Sequence, residues 1–280
     1  MITGTARRLL EAARARPGAP TVQFTPDAVR GGNILYYWQW AYLGQLAGDR
    51  RSVLRTDHMD AWLEEFPVLE SLTVSRADVS PLDQRAFATR HHFGSSFTAE
   101  ENRLFSRWLL DGSPSFESRV EAARRVITDR TCVINVRRGD YYRVPEFRAE
   151  FGMDIRAHVS QAVEILVRSG RAPEDVLIVS DDLGWCRDNL QDTLPGGYRS
   201  LPHRTSLFDD LAALVASRTL VLANSTFSYW GSHLAAALRD DHVAVAPPYH
   251  QRVAAGPPVD DLFDPRWERT SLPADSEGPA

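Results

Sequence analysis

The feature that most constrains the fold is a regular alternation of short apolar runs with longer amphipathic segments in the second half of the chain. The apolar runs have the length and β-branched content of buried strands, and the segments between them have the periodicity and capping residues of helices. Strands that alternate with helices in this way predict a parallel, doubly wound α/β sheet. The predicted strands are residues 132–136, 176–179, 219–222 and 242–246, and the predicted helices are residues 154–168, 185–190, 207–216 and 229–238.

The first half of the chain is less regular, and residues 49–130 carry no motif of known chemistry. Its local signals are those of one strand, one glycine turn and three helices. They predict a strand at 21–24, a turn at Gly31-Gly32-Asn33, a helix at 34–47 with core aromatic rings, a helix capped by Thr98 and Glu101, and a helix from Ser113-Pro114 to about Arg125.

Composition excludes several classes of function. The 280 residues carry a net charge of -5, which does not favour binding to nucleic acid or an anionic membrane. All 32 basic residues are arginine, so lysine Schiff-base chemistry and a P-loop lysine are excluded. Two cysteines, Cys132 and Cys186, suit a reducing compartment, and no apolar run has the length of a membrane span. We expect a cytoplasmic protein; the composition gives no indication of its oligomeric state.

Two adjacent arginines, Arg137 and Arg138, follow the apolar strand at 132–136. They therefore lie at the carboxyl end of a strand, where open α/β sheets bind their ligands. Gly139 permits a sharp turn directly after them. Neighbouring guanidiniums repel each other unless an anion lies between them, and their fork geometry suits phosphate. The pair indicates a phosphate-binding site, against the alternative of a solvated surface pair.

Two further segments follow predicted strands. Residues 224–228, Asn-Ser-Thr-Phe-Ser, precede a helix and either bind an anion or only cap that helix. Ser180-Asp181-Asp182 follows the strand at 176–179. A carboxylate there can cap a helix, bind a metal or accept paired hydrogen bonds from guanine, which presents N1–H beside an amino group. Metal binding is the weaker interpretation, because no histidine or third acid has suitable spacing.

Taken in order, these segments resemble the α-1,2-fucosyltransferases, which use GDP-fucose. Residues 135–141, Asn-Val-Arg-Arg-Gly-Asp-Tyr, are similar to the family's His-x-Arg-Arg-Gly-Asp-Tyr signature. Residues 178–182 with Trp185 resemble its Phe-Ser-Asp-Asp segment, and residues 223–231 resemble its Asn-Ser-Thr-Phe-Ser-Trp-Trp segment. The turn at Gly31-Gly32-Asn33 resembles an N-terminal Gly-x-Gly-Asn turn. The chain departs from the family at Asn135, which replaces histidine, and at the irregular entry to Gly31.

The resemblance implies a GT-B architecture, in which two Rossmann-like domains with mostly parallel sheets face a cleft. It predicts an acceptor-side domain at residues 1–128 and a nucleotide-sugar domain at residues 129–280, with a disordered tail from about residue 273. It also implies inverting transfer of a sugar, with L-fucose expected, from a GDP-sugar to a hydroxyl of a glycan or glycoside. No cofactor or metal is expected, since arginines and helix-terminal amides can neutralise the diphosphate.

The resemblance also implies the roles of individual residues. Arg138, helped by Arg137, neutralises the leaving GDP, while Asp181 or Asp182 binds guanine. Asp140 is the first candidate base and Glu146 the second, although Asp140 can instead orient Arg138. The remaining residues predicted to bind substrate are Gly32, Asn33, Asn135, Asn224, Ser225, Thr226 and Phe227.

Two alternatives stay open at this point. One is a sibling transferase that uses another GDP-sugar or a small-molecule acceptor from a biosynthetic pathway. The other is an inactive homologue that binds GDP, which the replacement at Asn135 suggests. An RNA-binding function is opposed by the net charge, and the Arg138-Gly139-Asp140 triplet next to a buried strand does not indicate an integrin ligand.

Overall fold

A computed structural model describes residues 11–12, 14–26, 29–87, 97–194, 196–253 and 258–271. The chain divides into two compact units, Met1–Ser115 and Phe116–Ala280. The sequence predicts that residues 1–128 bind the acceptor and that residues 129–280 bind the nucleotide-sugar. This division of function stays a prediction. The tail predicted to be disordered, from about residue 273, lies outside the described residues.

The first unit contains a four-stranded parallel sheet in the order β3-β2-β1-β4. Helix α1 follows β1, and its Tyr36, Tyr37 and Trp38 side chains are buried, as predicted for core aromatic residues. The strands are β1 (Thr21–Phe24), β2 (Arg51–Leu54), β3 (Thr73–Val74) and β4 (Gln84–Phe87), and the helices are α1 (Gly32–Leu46), α2 (Asp60–Glu65) and α3 (Ala99–Asp111), with 3-10 turns at Asp57–Met59 and Pro67–Leu72.

The second unit contains a six-stranded sheet in the order β10-β9-β8-β5-β6-β7, and all of its strand pairs are parallel. The strands are β5 (Thr131–Val136), β6 (Asp175–Ser180), β7 (Arg199–Ser200), β8 (Thr219–Val221), β9 (Val243–Ala246) and β10 (Glu268–Arg269). The helices are α4 (Pro114–Arg124), α5 (Gly139–Arg143), α6 (Pro145–Phe151), α7 (Ile155–Arg168), α8 (Leu183–Leu190), α9 (Leu207–Ala216) and α10 (Thr226–Leu238). Both units are α/β with parallel sheets, which confirms the predicted fold class.

The strand order of the second sheet reverses between β5 and β8. From β5 the chain proceeds to β6 and β7 on one side, then returns to β8 on the other side and continues to β9 and β10. Parallel sheets of this kind bind ligands outside the carboxyl ends of the strands at such a reversal. The loops that follow β5 and β8 are therefore where the fold places a ligand.

The core of this unit is formed by the apolar strand residues and by the inner faces of the helices. All six residues of β5 are buried, as expected for a central strand of a parallel sheet. Helix α7 contributes Ile155, Val159, Ala162 and Leu166 at helical spacing to the same core. Burial of these side chains fixes the strand ends, and the strand ends in turn fix the loops that carry the polar motifs.

The described part of the chain contains no helix that is both long enough and apolar enough to cross a membrane.

Candidate functional site

Three of the predicted motifs lie at the carboxyl edge of three neighbouring strands. The Arg137-Arg138 segment follows β5, the Asp181-Asp182 segment follows β6, and the segment that begins at Asn224 follows β8. Since β8, β5 and β6 are adjacent and parallel, these segments converge at one end of the sheet. The edge contains the reversal of strand order, so the sequence motifs and the fold indicate the same site.

The guanidinium of Arg137 is paired with two carboxylates. Its Nη1 donates to Asp181 Oδ2 at 2.7 Å, and its Nη2 donates to Asp140 Oδ1 at 2.5 Å. Its guanidinium also lies over the Tyr141 ring, 5.4 Å from the centroid. The charge of Arg137 is therefore balanced by two aspartates of the protein, which makes it a poor first choice for holding a ligand anion.

Arg138 differs from its neighbour because its outer edge is open. Its Nε donates to Asp182 Oδ2 at 3.3 Å, and its side chain is 18% exposed. Within the described ranges, Nη1 and Nη2 of Arg138 have no hydrogen-bond partner. The side chain is mostly covered, but its two unpartnered Nη groups can make the bidentate contact that phosphate oxygens favour.

Gly139 is required by its surroundings as well as by its backbone. Its φ of 25° lies in the left-handed region, and a Cβ at this position would lie 2.5 Å from Asp181 Oδ2 and 3.3 Å from Arg137 Cζ. A side chain would therefore displace the ion pair between Arg137 and Asp181. The glycine allows the chain to turn sharply after β5 and keep both arginines at the edge of the sheet.

Asp181 and Asp182 both contact the arginine segment. Asp181 accepts Arg137 Nη1 with Oδ2 and the backbone N–H of Arg138 with Oδ1, the latter at 2.8 Å. Asp182 Oδ1 accepts the backbone N–H of Trp185 at 3.0 Å and caps α8. Asp182 is thus a helix cap, which is one of the roles that the sequence allows for it. Recognition of guanine by either residue stays a prediction, and for Asp181 it would compete with two existing hydrogen bonds.

Asp140 contacts a different arginine from the one anticipated. The sequence suggests that Asp140 orients Arg138, but its carboxylate pairs with Arg137. The reason is geometric: residue 140 lies in the first turn of α5 and residue 137 lies just before that helix, and this spacing of three positions brings their side chains together. The alternative role, that of a catalytic base, stays a prediction.

Glu146, the second candidate base, is exposed near the start of α6. It has no ion pair within the described ranges. Helix α6 buries no residue, but its C-terminal end is held by hydrogen bonds. Asn224 Nδ2 donates to the carbonyl of Phe151 at 2.7 Å, and Gln251 Nε2 donates to Glu150 Oε1 at 3.0 Å. Glu146 is therefore an accessible carboxylate on an anchored element.

Asn135, which replaces the family histidine, is a buried member of β5. Its Nδ2 donates to the carbonyl of Val179 on β6 at 3.0 Å. The side chain therefore supports the pairing of the two strands that carry the arginines and the aspartates. Its predicted role in binding substrate stays a prediction.

The segment after β8 forms the amino end of α10. Asn224 is buried and donates to the carbonyls of Phe151 and His250, at 2.7 and 3.3 Å. Ser225 is the N-cap residue, yet its side chain makes no capping hydrogen bond. Thr226 is buried and Phe227 is half-buried at the first two helical positions. This helix end is therefore left without a side-chain cap, which is the arrangement that suits an anion.

Gly32 and Asn33 belong to the first unit, where they form the first turn of α1 after β1. Gly31 is the N-cap, with a φ of 56°. The Asn33 Oδ1 atom is buried without a hydrogen-bond partner in the part of the chain that the structure describes. A buried unpaired carbonyl oxygen is costly unless a ligand or water satisfies it, so Asn33 stays a candidate for substrate binding.

Asp210 is a carboxylate that sequence reasoning did not select. It lies in the first turn of α9, its side chain is 9% exposed, and it is paired with Arg204. Burial raises the pKa of Asp210 to about 6, the Arg204 charge opposes this, and the charge of Asp181 adds to the increase. The signal in the sequence is an aspartate inside the apolar run of α9. A buried acid with a raised pKa near a strand edge is a functional-site candidate.

The acidic residues of the site do not form a metal cage. Among the described residues, no group of three or more His, Cys, Asp or Glu side chains is placed to hold a metal ion. Asp181 and Asp182 contact Arg137 and Arg138 instead. A divalent cation bound by these aspartates would have to displace the arginines.

Comparison with known proteins agrees with the arrangement of these motifs. The sequence model described as Glycosyl transferase family 11 matches residues 117–268, which is more than half of the chain. The match contains every motif residue at the edge of the second sheet.

Two curated relatives match over a shorter stretch. Galactoside alpha-(1,2)-fucosyltransferase 1 of Bos taurus is 29% identical over 109 residues, and the enzyme of the same name from Sus scrofa is 32% identical over 109 residues. In both cases the match covers 36% of this chain and 28% of the relative. The matched stretch thus spans less than a third of the length of either relative.

Solved structures with a similar fold are more distant. The crystal structure of POFUT1 in complex with GDP is 16% identical, has a TM-score of 0.39, and is matched over 83% of this chain and 74% of that chain. The heptosyltransferase II of E. coli, which uses ADP-heptose, is 12% identical, with a TM-score of 0.45 and 91% coverage of both chains. These likenesses add no argument about function. The family sequence model, by contrast, matches more than half of the chain and includes the motif residues. The chain therefore belongs to glycosyltransferase family 11.

Proposed function

We propose that this protein is an inverting, metal-independent glycosyltransferase that moves a sugar from GDP to a hydroxyl of a glycan or glycoside. L-fucose is the expected sugar, because the relatives of Bos taurus and Sus scrofa are named galactoside alpha-(1,2)-fucosyltransferases. Membership of glycosyltransferase family 11 supports the reaction class.

The observation that carries the proposal is the open Nη edge of Arg138 at the reversal of strand order. The side chain follows β5, and the uncapped amino end of α10 follows the adjacent strand β8. A diphosphate between these two elements would meet a bidentate cation on one side and helix-terminal N–H groups on the other. Both are fixed donors, so they need little rearrangement when negative charge develops on the leaving GDP.

The acceptor hydroxyl needs only a weak base in this reaction, because breaking of the bond to GDP runs ahead of bond formation in an oxocarbenium-like transition state. Asp140 is engaged with Arg137, whereas Glu146 is exposed and unpaired in the described part of the chain. We therefore place Glu146 ahead of Asp140 as the base. Asp140 then serves to balance the charge of Arg137 and to leave Arg138 as the cation for the ligand.

Asp210 is our first candidate for the contact with guanine. Its Oδ2 accepts from Arg204, and its Oδ1 has no hydrogen-bond partner among the described residues. The oxygens of Asp181 are both engaged by the arginine segment. A carboxylate that retains acceptor capacity can bind the N1–H and the amino group of guanine together.

Two alternatives remain: a transferase for another GDP-sugar or a small-molecule acceptor, and an inactive homologue that binds GDP. The inward-turned Asn135, which offers no ring or charge at the position of the family histidine, is the observation that keeps the second alternative open. Both alternatives predict GDP binding, but only a transferase releases GDP from a GDP-sugar.

The test is a screen of GDP-fucose, other GDP-sugars, a UDP-sugar and an ADP-sugar against glycans and small hydroxylated acceptors. GDP release and product mass are measured together. We expect turnover with GDP-fucose and a glycoside acceptor, and inversion at the anomeric carbon. GDP binding without any turnover would support the inactive homologue, and turnover with a UDP- or ADP-sugar alone would refute the proposal.

A further inference from the structure

The guanidinium of Arg138 is flanked by two aromatic rings. Its Cζ atom is 4.4 Å from the centroid of the Tyr142 ring and 4.2 Å from that of the Trp185 ring. The rings come from α5 and α8, the helices that follow β5 and β6. Among the described residues no ring contact joins Tyr142 to Trp185, whereas each ring contacts the guanidinium of Arg138.

Both rings are themselves held in place. The Tyr142 hydroxyl donates to the carbonyl of Met153 at 2.7 Å and accepts the backbone N–H of the same residue at 3.0 Å. The backbone N–H of Trp185 donates to Asp182, and both rings pack against the core of the second unit. The aromatic residues are thus more firmly fixed than a long arginine side chain would be in solvent.

The hydrogen bonds of Arg138 alone would hold its guanidinium only weakly. The only side-chain hydrogen bond within the described ranges is the one from Nε to Asp182, which is long at 3.3 Å. Asp182 itself is 42% exposed, so water weakens this ion pair. The two rings, each within the distance at which a cation is attracted to a π face, supply the closer contacts.

We propose that Tyr142 and Trp185 are positioning residues that hold the Arg138 guanidinium between their rings with its Nη edge directed at the diphosphate. The inference rests on the proposed function, which supplies the diphosphate. A guanidinium that is already oriented loses little conformational freedom when it binds, and it keeps its orientation as charge develops on the leaving group. Lysine could not be held in this way, because its point charge has no plane to orient.

The first arm of the test does not depend on activity. Ring currents shift the resonances of nuclei that lie over an aromatic face, so the side-chain Nε–H signal of Arg138 should differ from those of exposed arginines. The signal is assigned by its loss in Arg138→Lys. Trp185→Ala should move it toward the exposed range, whereas Trp185→Phe should retain most of the shift. Tyr142→Leu removes the other ring and provides a second variant if Trp185→Ala does not fold.

The matched control is Phe263→Ala, which removes the aromatic ring that contacts another arginine of the same unit. The guanidinium of Arg269 lies 4.8 Å from the Phe263 centroid. This variant should alter the signal of Arg269 and leave that of Arg138 unchanged. An Arg138 signal that is unaffected by Trp185→Ala and Tyr142→Leu would overturn the proposal.

The second arm is kinetic. Trp185→Ala should lower kcat with the GDP-sugar by about two- to thirtyfold, which is the range expected for the loss of one cation–π contact. The KM should change less than kcat, and Trp185→Phe should recover most of the rate. A shifted Arg138 signal with unchanged kcat would refute the positioning role. Absence of turnover in the unmodified protein would refute the proposed function, while the spectroscopic arm would still decide the orientation of Arg138.

Discussion

At the scale of single residues, the main finding is that the two adjacent arginines have different partners. Arg137 binds Asp140 and Asp181, whereas Arg138 lies between aromatic rings and keeps its Nη atoms open. The register between the strands explains the difference. Val136 pairs with Ser180, so the next residues, Arg137 and Asp181, lie side by side. Two similar side chains thus have different surroundings, and of the two only Arg138 has Nη atoms that are unpartnered within the described ranges, for the ligand that we propose.

Gly139→Ala should test how tightly this segment is packed. The new Cβ would lie 2.5 Å from Asp181 Oδ2, so the ion pair with Arg137 must shift. We expect a loss of about 1–3 kcal/mol in the free energy of unfolding and a marked loss of GDP-sugar turnover. Chemical denaturation and turnover assays measure the two effects.

Gly170→Ala is the matched control for this variant. Gly170 also has a positive φ, 73°, but a Cβ there meets nothing within 4 Å. This substitution should cost only about 1–2 kcal/mol of backbone strain and leave turnover unchanged. Equal effects of the two variants on turnover would contradict the packing argument at Gly139.

Asp210→Asn should reduce the preference of the protein for GDP over ADP and UDP. The amide cannot accept from the two guanine donors as a carboxylate does, and loss of such a contact costs about 1–3 kcal/mol. Calorimetry with the three nucleotides measures the preference in the unmodified protein, where GDP should bind most tightly, and in the variant. Asp181→Asn is the comparison variant, and it should keep the preference even if it weakens binding overall. A preference lost in Asp181→Asn but kept in Asp210→Asn would return guanine recognition to Asp181.

At the scale of elements, the sequence predicts the second unit closely. The strands at 132–136 and 176–179 are confirmed within one residue at each end, as is the helix at 154–168, which Asp154 caps. The predicted capping box at Thr98 with Glu101 is present, and Ser206 with Asp209 forms a second one at the start of α9. These elements are predictable because hydrophobic periodicity and local capping residues specify them without reference to distant parts of the chain.

Other elements depend on contacts that a single sequence does not reveal. Strands β2, β3 and β4 have two to four residues each, and their pairing with neighbouring strands, rather than local pattern, makes them strands. Helices α5 and α6 are short and bury no residue, so no run of core-facing side chains marks them in the sequence. The contact between Arg138 and the Trp185 ring is not predictable for a related reason: Trp185 lies 47 positions away, on helix α8.

The pairing of the loops after β5 and β6 leads to a prediction about metal. Asp181 and Asp182 contact Arg137 and Arg138, so the loops balance each other's charge. We expect GDP-sugar turnover to survive excess chelator and to change only modestly when Mg²⁺ or Mn²⁺ is added, because in the proposed function Arg138 and the helix-terminal amides neutralise the diphosphate. A dialysed sample is assayed with chelator, and then with each metal. Loss of turnover on chelation that Mn²⁺ restores would assign the aspartates to a metal.

At the scale of the whole molecule, buried histidines make stability depend on pH. Burial lowers the pKa of His158 and of His233 to about 4. His158 is also held by Thr270 and by the carbonyl of Leu222, both at 2.8 Å. Since the folded state disfavours the protonated ring, the stabilisation is complete above the ordinary pKa of 6.5 and is lost as the pH falls toward 4.

We therefore expect the free energy of unfolding to fall between pH 7 and pH 4.5. Each histidine contributes up to about 3 kcal/mol to the free energy of unfolding over the full difference between its ordinary pKa and its pKa in the folded protein. The raised pKa of Asp210 acts in the opposite direction, because below about pH 6 the folded state binds a proton at Asp210 more readily than the unfolded state does. Protonation of Asp210 therefore offsets part of the loss in the free energy of unfolding. Urea denaturation over this pH range, repeated with His158→Gln, measures the effect. The variant should show a shallower dependence, and an identical dependence in both proteins would exclude His158 as a source.

The role that we propose for Arg138 is to support the departure of GDP from a GDP-sugar. Its most direct test is the rate of GDP release from GDP-fucose, with a glycoside acceptor, in the unmodified protein and in Arg138→Ala, Arg138→Lys and Arg130→Ala. Arg130 lies before β5, at the opposite end of the same strand, and pairs with Glu174 on the surface. We predict turnover in the unmodified protein and in Arg130→Ala, and a loss of about tens- to thousands-fold in both Arg138 variants, which retain their fold. Near-normal turnover in either Arg138 variant would exclude this role of Arg138.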